Sequence, residues 1–173
     1  HDAGKLSTLC IARRDGKILW RQPAPTDTVE EVPKASHPAS ATPVTDGKRV
    51  YVYFASFGLI AYDFKGREQW QKPLPVPFVV NGSGTSPALC GGRLILNCDQ
   101  QGGKSVLLAV DARNGKTLWQ TPRPDFPSGY TTPVLWEHDG AEEIVVAGSL
   151  GVGGYGLNNG KERWSARGLE ALS

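Results

Sequence analysis

Short apolar runs, each closed off by turn residues, recur along the chain. Arg49–Phe54, Arg93–Asn97 and Glu143–Ala147 are each followed closely by a second run, at Gly58–Asp63, Ser105–Asp111 and Gly153–Leu157. All six are rich in Val, Ile, Leu and Tyr and short enough to be strands. No segment holds a 3.6-residue apolar period over ten residues, so helical repeats are disfavoured. The pattern predicts an all-β chain with almost no helix.

Two markers run in phase with these strands. Four of the five tryptophans share a Gly-basic-x-x-Trp context: Gly16 to Trp20, Gly66 to Trp70, Gly115 to Trp119 and Gly160 to Trp164. Their spacings are 50, 49 and 45 residues. Thr42-Pro43, Ser86-Pro87 and Thr132-Pro133 precede the last three of these tryptophans by about thirty residues. Each unit therefore reads as four antiparallel strands. Strand A carries the Ser/Thr-Pro, strand B is the first apolar run, and strand C ends near Asp63 or Asp111. A Gly turn then leads to strand D, which ends on Trp. The glycine supplies positive φ in that turn, and the aspartate can bond backbone N–H groups across it. Units of this length with four strands are propeller blades. A blade cannot bury both faces alone, so the tryptophan is expected to fill the wedge between neighbours and to donate its N–H to the next blade.

The turn and strand around Ala109-x-Asp111-x-x-Asn114-Gly115-Lys116-x-x-Trp119 resemble the tryptophan-docking motif of PQQ-type β-propeller repeats. Asn114 stands where that family usually has Thr. Ala61-x-Asp63 to Gly66 and Trp70 fits with a turn one residue shorter, while the segments ending at Trp20 and Trp164 fit in their second halves only. The resemblance implies a partial propeller. Residues 1–22 would supply the last strands of a first blade, and 39–72, 84–120 and 131–165 three further blades. The remaining blades would come from a longer parent chain or a partner copy, since nine residues after Trp164 are too few to complete the first blade. The same repeat serves quinoprotein dehydrogenases, which hold pyrroloquinoline quinone (PQQ) and Ca²⁺, and scaffolds of the outer-membrane assembly factor BamB type. It implies a bacterial, periplasmic or otherwise extracytoplasmic protein, and it fixes fold more than function.

Composition narrows this a little. The 173 residues contain 21 Gly and 13 Pro, in keeping with many turns, and a net charge of +2 is too small to argue for nucleic acid. No apolar run is long enough to span a membrane as a helix. The chain contains no Met and opens on His1, which predicts a processed or excised chain. Cys10, Cys90 and Cys98 read as three small buried residues. With a hairpin at Gly91-Gly92, Cys90 faces Arg93, so a Cys90–Cys98 disulfide is not expected.

The search for chemistry yields no catalytic or metal residue and no assigned cofactor contact. A quinone site in the related enzymes has an adjacent Cys pair, which this chain lacks. Trp136, outside the repeat, is a candidate floor residue for a flat cofactor, with core packing the blander reading. Asp125, Asp139, Glu142 and Glu143 are the candidate carboxylates, all read as solvated charge in loops or at strand starts. His1, His37 and His138 form no metal-spaced set. Ser149 lacks the nucleophile-elbow context, and the glycines of 148–156 read as a flexible turn rather than a phosphate loop. Asn81-Gly82-Ser83 is an N-glycosylation pattern. The B–C loops and inter-blade loops should share one face, where Pro23–Pro38 and Asp99–Lys104 are the candidate binding loops. The expectation is a non-catalytic scaffold whose partners are other proteins or the remaining blades. No cofactor is expected in this chain, and PQQ with Ca²⁺ belongs to the alternative, a dehydrogenase fragment.

Overall fold

The computed structural model describes residues 5–168, and His1 lies outside them. No described residue is helical. The first strands, β1 (Ser7–Ile11) and β2 (Ile18–Pro23), pair with each other alone. Three four-stranded antiparallel meanders follow: β3 (Val44–Thr45) to β6 (Glu68–Pro73), β7 (Ala88–Cys90) to β10 (Thr117–Pro122), and β11 (Val134–His138) to β14 (Glu162–Arg167). This is a stretch of β-propeller, and each sheet is a blade.

Strand alternation explains how the blades stack. In β4 (Arg49–Phe54), Tyr51 and Tyr53 point one way, and in β5 (Gly58–Asp63) Leu59 and Ala61 join them. They meet Leu94 and Leu96 of β8 (Arg93–Cys98) and Leu108 and Val110 of β9 (Val106–Asp111). Val52, Phe54, Ile60 and Tyr62 point the other way, onto Leu6 and Ala24. The far side of the third sheet, Ile95, Leu107 and Ala109, packs on Ile144 and Val146 of β12 (Ala141–Gly148) and Tyr155 of β13 (Gly151–Gly156). The core is thus three seams, one between each pair of blades.

The repeated tryptophans lock these seams. The Trp20, Trp70 and Trp119 indoles donate to the carbonyls of Phe64, Ala112 and Leu157 in the next blade, each at 3.0 Å. Each ring also lies on that blade's turn glycine: a Cβ on Gly66 would come within 2.8 Å of Trp20, and one on Gly115 within 2.7 Å of Trp70. Strand D runs three residues past the tryptophan to a proline in β2, β6 and β10, so it does not end on the ring as the sequence suggested.

A second set of links was not foreseen. The Ser/Thr-Pro pairs sit just before strand A rather than within it. Thr42 N–H donates to Ser86 Oγ at 2.9 Å, and Ser86 N–H to Thr132 Oγ1 at 3.2 Å. The hydroxyls tie the inner ends of successive blades, and the prolines cost the sheet nothing because they lie outside the ladder.

The glycine-rich segment is also a strand and not a flexible turn. Only Ser149 and Leu150 form the turn, and Gly151–Gly156 pairs with both β12 and β14. Its glycines make room for large rings, since a side chain at Gly153 would strike Tyr155 and one at Gly154 would strike Trp164.

Candidate interaction face

A–B and C–D turns emerge at one end of each blade; B–C turns and inter-blade segments emerge at the other. The second end carries both unusual chemistry and exposed apolar surface.

Its chemistry is a buried polar knot between the last two blades. Arg123 follows β10 directly, and Asp99 follows β8. Both side chains are fully buried, with Arg123 Nε 2.8 Å from Asp99 Oδ1 and a second nitrogen 3.0 Å from Oδ2. A third guanidinium nitrogen donates to the Tyr155 hydroxyl, and the cation stacks 3.9 Å from the Phe126 ring centre. Burial pushes the Asp99 carboxyl up, and the hydrogen bonds and charge of Arg123 pull against it. Asn97, 1% exposed, lies beside the knot, and a Cβ on Gly129 would sit 2.7 Å from Asp99 Oδ2 and 3.1 Å from the Asn97 amide nitrogen. Ser105 Oγ, bonded to Phe126 O at 2.6 Å, ties the B–C turn to the inter-blade segment. Asp99 opens the candidate binding loop Asp99–Lys104, but its own side chain is fully buried and serves as an inter-blade clamp.

The apolar surface lies one seam earlier. After β6 the segment 74–79 runs extended across the B–C turn at 99–104 and then turns at 80–81. Phe78 N–H donates to Gln100 Oε1 and Val80 N–H to Gln101 Oε1, both at 3.2 Å, while Phe78 O accepts from Gln101 N–H at 2.9 Å. Held this way, alternate side chains face outward: Val76, Phe78 and Val80 are 53%, 65% and 60% exposed, and Pro77 and Val79 are half-buried. Beneath the segment a cleft of about 370 Å³ opens between blades, with Tyr53, Leu74, Cys98 and Leu108 inside and Lys104 and Gln120 at its mouth.

Pro23–Pro38 shares this face; most of its residues are exposed, and it is pinned to the blades at a few points. Glu30 N–H donates to Ser56 Oγ at 2.9 Å, and Val32 closes over Gly82. Burial raises the Glu30 carboxyl. In the sequon, Asn81 donates to the Tyr130 hydroxyl at 3.2 Å.

The remaining sequence candidates do not converge. Asp125 is exposed on the inter-blade side, paired with Arg167 at 2.7 Å. Asp139 and Glu142 are exposed on the β11–β12 hairpin, at the opposite end. Glu143 is not solvated at a strand start: it is buried within β12, accepting from Trp164 Nε1 at 2.7 Å and Arg163 at 3.1 Å. The Trp164 bond first, and then Arg163 and His138, hold its carboxyl below the usual range against the opposing effect of burial. Trp136 is not in the core. It is 44% exposed and stacks on His138 at 3.8 Å, on the sheet face against which no described residues pack. There Trp164 has no following carbonyl among the described residues and turns to Glu143 of its own blade. His37 lies in the Pro23–Pro38 segment, where its Nδ1 accepts from Ala39 N–H. Ser149 Oγ donates to Ser128 O at 2.8 Å, and among the described residues no histidine bonds it. The three cysteines are free; Cys90 is buried, whereas Cys10 and Cys98 are only half-buried. Burial and the Asp99 charge push the Cys98 thiol up to about 12. Among the described residues no His, Cys, Asp and Glu gather in a metal-holding group. The cysteines are not adjacent in sequence, and the candidate carboxylates are divided between opposite ends of the blades.

Fold and face together define a β-propeller with blade-locking tryptophans. The chain belongs to the family of the outer membrane protein assembly factor BamB, which it matches over residues 6–171. No curated protein sequence matches it significantly. Among solved structures it is similar to BamB from Moraxella catarrhalis, at 19% identity and TM-score 0.63 over 91% of this chain and 43% of that one. It is also similar to quinohemoprotein alcohol dehydrogenases. That from Pseudomonas putida HK5 matches at 15% identity and TM-score 0.66, covering 97% of this chain and 33% of that one. That from Comamonas testosteroni matches at 14% and 0.69, covering 95% and 32%. The chain spans less than half the length of these structures, and identities this low establish the shared fold alone.

Proposed function

We propose that this chain is part of a non-catalytic propeller scaffold that binds another protein through the face bearing the inter-blade segments. The observation that carries this reading is the outward row of Val76, Phe78 and Val80. Its backbone is tied to the B–C turn beneath, so the row is presented on a rigid support and the ordering cost on binding is low. Exposed contiguous apolar surface on a rigid frame is where proteins dock. The family description, an outer membrane assembly factor, supports a protein partner and a periplasmic or otherwise extracytoplasmic location. The same reading places neither PQQ nor Ca²⁺ on this stretch, in keeping with the scattered carboxylates and unpaired cysteines.

The test uses the full-length protein. It is titrated with PQQ and Ca²⁺ and assayed for dye reduction with alcohols and sugars; the expected result is no tight binding and no turnover. In parallel, immobilised wild type and Phe78→Asp are used to capture partners from an extracytoplasmic extract. Capture that is lost in Phe78→Asp supports the scaffold. Tight quinone binding with turnover, or capture indifferent to Phe78→Asp, overturns it.

A further inference from the structure

The cleft beneath the apolar row has a defined chemistry, and resting on the scaffold reading, we infer that it takes a bulky apolar side chain of the partner whose neighbouring residue is a carboxylate. Both walls of the cleft are complete four-stranded sheets, so it is not an edge left by an unpaired blade. Its interior is Tyr53, Leu74, Cys98 and Leu108, and its mouth carries one cation, Lys104, with no acidic residue in the lining. The Lys104 ammonium makes no ion pair among the described residues. An apolar chamber with a single unpaired cation at its rim matches an apolar anchor followed by an acid.

The sister seam shows what such a cleft holds when the chain fills it itself. Pro73-Leu74-Pro75 and Pro122-Arg123-Pro124 occupy equivalent positions after strand D, and Tyr53 and Ala55 correspond to Asn97 and Asp99. At the later seam the long Arg123 side chain runs into the wedge, stacks on Phe126 and closes on Asp99. At the earlier seam Leu74 is too short to do so, and the wedge stays open. The partner's side chain fills the space that the Arg123 side chain fills one blade on.

The experiment measures fluorescence anisotropy of labelled hexapeptides on the full-length protein. The probe is Gly-Ser-Phe-Asp-Ser-Gly, with one control carrying Lys for Asp and another Ala for Phe. The acidic aromatic peptide should bind about fivefold or more tightly than either control. Lys104→Glu should invert the preference between Asp and Lys peptides. Gln120→Trp, an exposed change at the mouth, should weaken the aromatic peptide about tenfold with an unaltered circular dichroism spectrum. If the peptides ignore Lys104→Glu and Gln120→Trp while partner capture still needs Phe78, the cleft inference is wrong and the scaffold stands. If the peptide preference inverts but capture ignores Phe78→Asp, the scaffold reading through the apolar row is the one that fails. Phenylacetate binding as tightly as the peptide would mark a small-molecule site and also overturn the inference.

Discussion

Replacing Arg123 with Leu gives the last seam the residue that the preceding blade carries at that position, Leu74, yet it should be strongly destabilising. The guanidinium makes two bonds to Asp99, at 2.8 and 3.0 Å, and one to Tyr155, with both charged side chains fully buried. Arg123→Leu leaves a buried carboxylate with its partner gone, which costs about 3–5 kcal/mol. Asp99→Ala with Arg123→Leu restores the apolar solution of the earlier seam, Ala55 with Leu74, and should recover at least about 2 kcal/mol of that loss. The pH dependence adds a separate signature. Burial raises Asp99, and removing Arg123 removes the pull against that rise. An acid whose folded pKa lies above its unfolded value binds its proton more tightly when folded, so stability falls as pH rises between the two values. The deficit of Arg123→Leu should therefore be largest at pH 7.5 and shrink toward pH 5, while the double variant shows no such trend. Urea unfolding of the full-length protein, followed by tryptophan fluorescence at constant m, reads all three quantities. A single-variant cost under about 1 kcal/mol at pH 7.5, or a double variant no better than the single, would refute the clamp.

Three further outcomes follow from the seams. Gly115→Ala combines a φ of +72° with a Cβ only 2.7 Å from the Trp70 ring, and should cost about 1–3 kcal/mol by urea unfolding; an unchanged midpoint would mean that the ring does not rest there. Hydrogen bonds from the Arg113 side chain and N–H hold the Asp111 carboxyl at about 2, below its unfolded value of about 4. Its contribution is complete above pH 4 and lost as pH falls toward 2, and Asp111→Asn should flatten that part of an acid titration of stability. Cys98, pushed up to about 12, should react with iodoacetamide at pH 8 far more slowly in the folded protein than after unfolding, and equal rates would mean that the thiol is not raised.

The frame was legible because it is written four times. Gly66 and Trp70 mean little singly, but the recurrence of the pair fixes a strand, a turn and a docking partner one blade away. The knot was not legible because it breaks the repeat. Asp99 and Arg123 lie 24 residues apart, in a turn and after a strand, and only the blade stacking brings them together. Glu143 misled for a related reason. Its position corresponds to Arg49 and Arg93 in the earlier blades, so solvated charge was a fair expectation, but the Trp164 indole and Arg163 bond its carboxylate within the same blade. The apolar row did carry a signal that went unread: Leu74-Pro-Val-Pro-Phe-Val-Val80 is an unusually apolar inter-blade segment, where polar residues are the norm.

Positions equivalent by repeat separate what holds the blades from what distinguishes them. Where the blades agree, as in the turn glycine and the tryptophan above it, the shared residue serves the seam, because every seam has the same wedge to fill. Where they differ, the same wedge has received different contents: Ala24 in the first seam, Leu74 in the second, Arg123 in the third. The backbone is indifferent to the choice, since Ala24, Leu74 and Arg123 N–H donate alike to Leu6, Phe57 and Ser105 carbonyls at 2.8–2.9 Å. A position whose backbone is fixed while its side chain runs from methyl to guanidinium is set by the side chains around it in each seam, Asp99 in the case of Arg123, and not by the shared backbone. Its contents therefore differ from seam to seam, and the seam that holds Leu74 is the one that lies open beneath an outward row of apolar side chains.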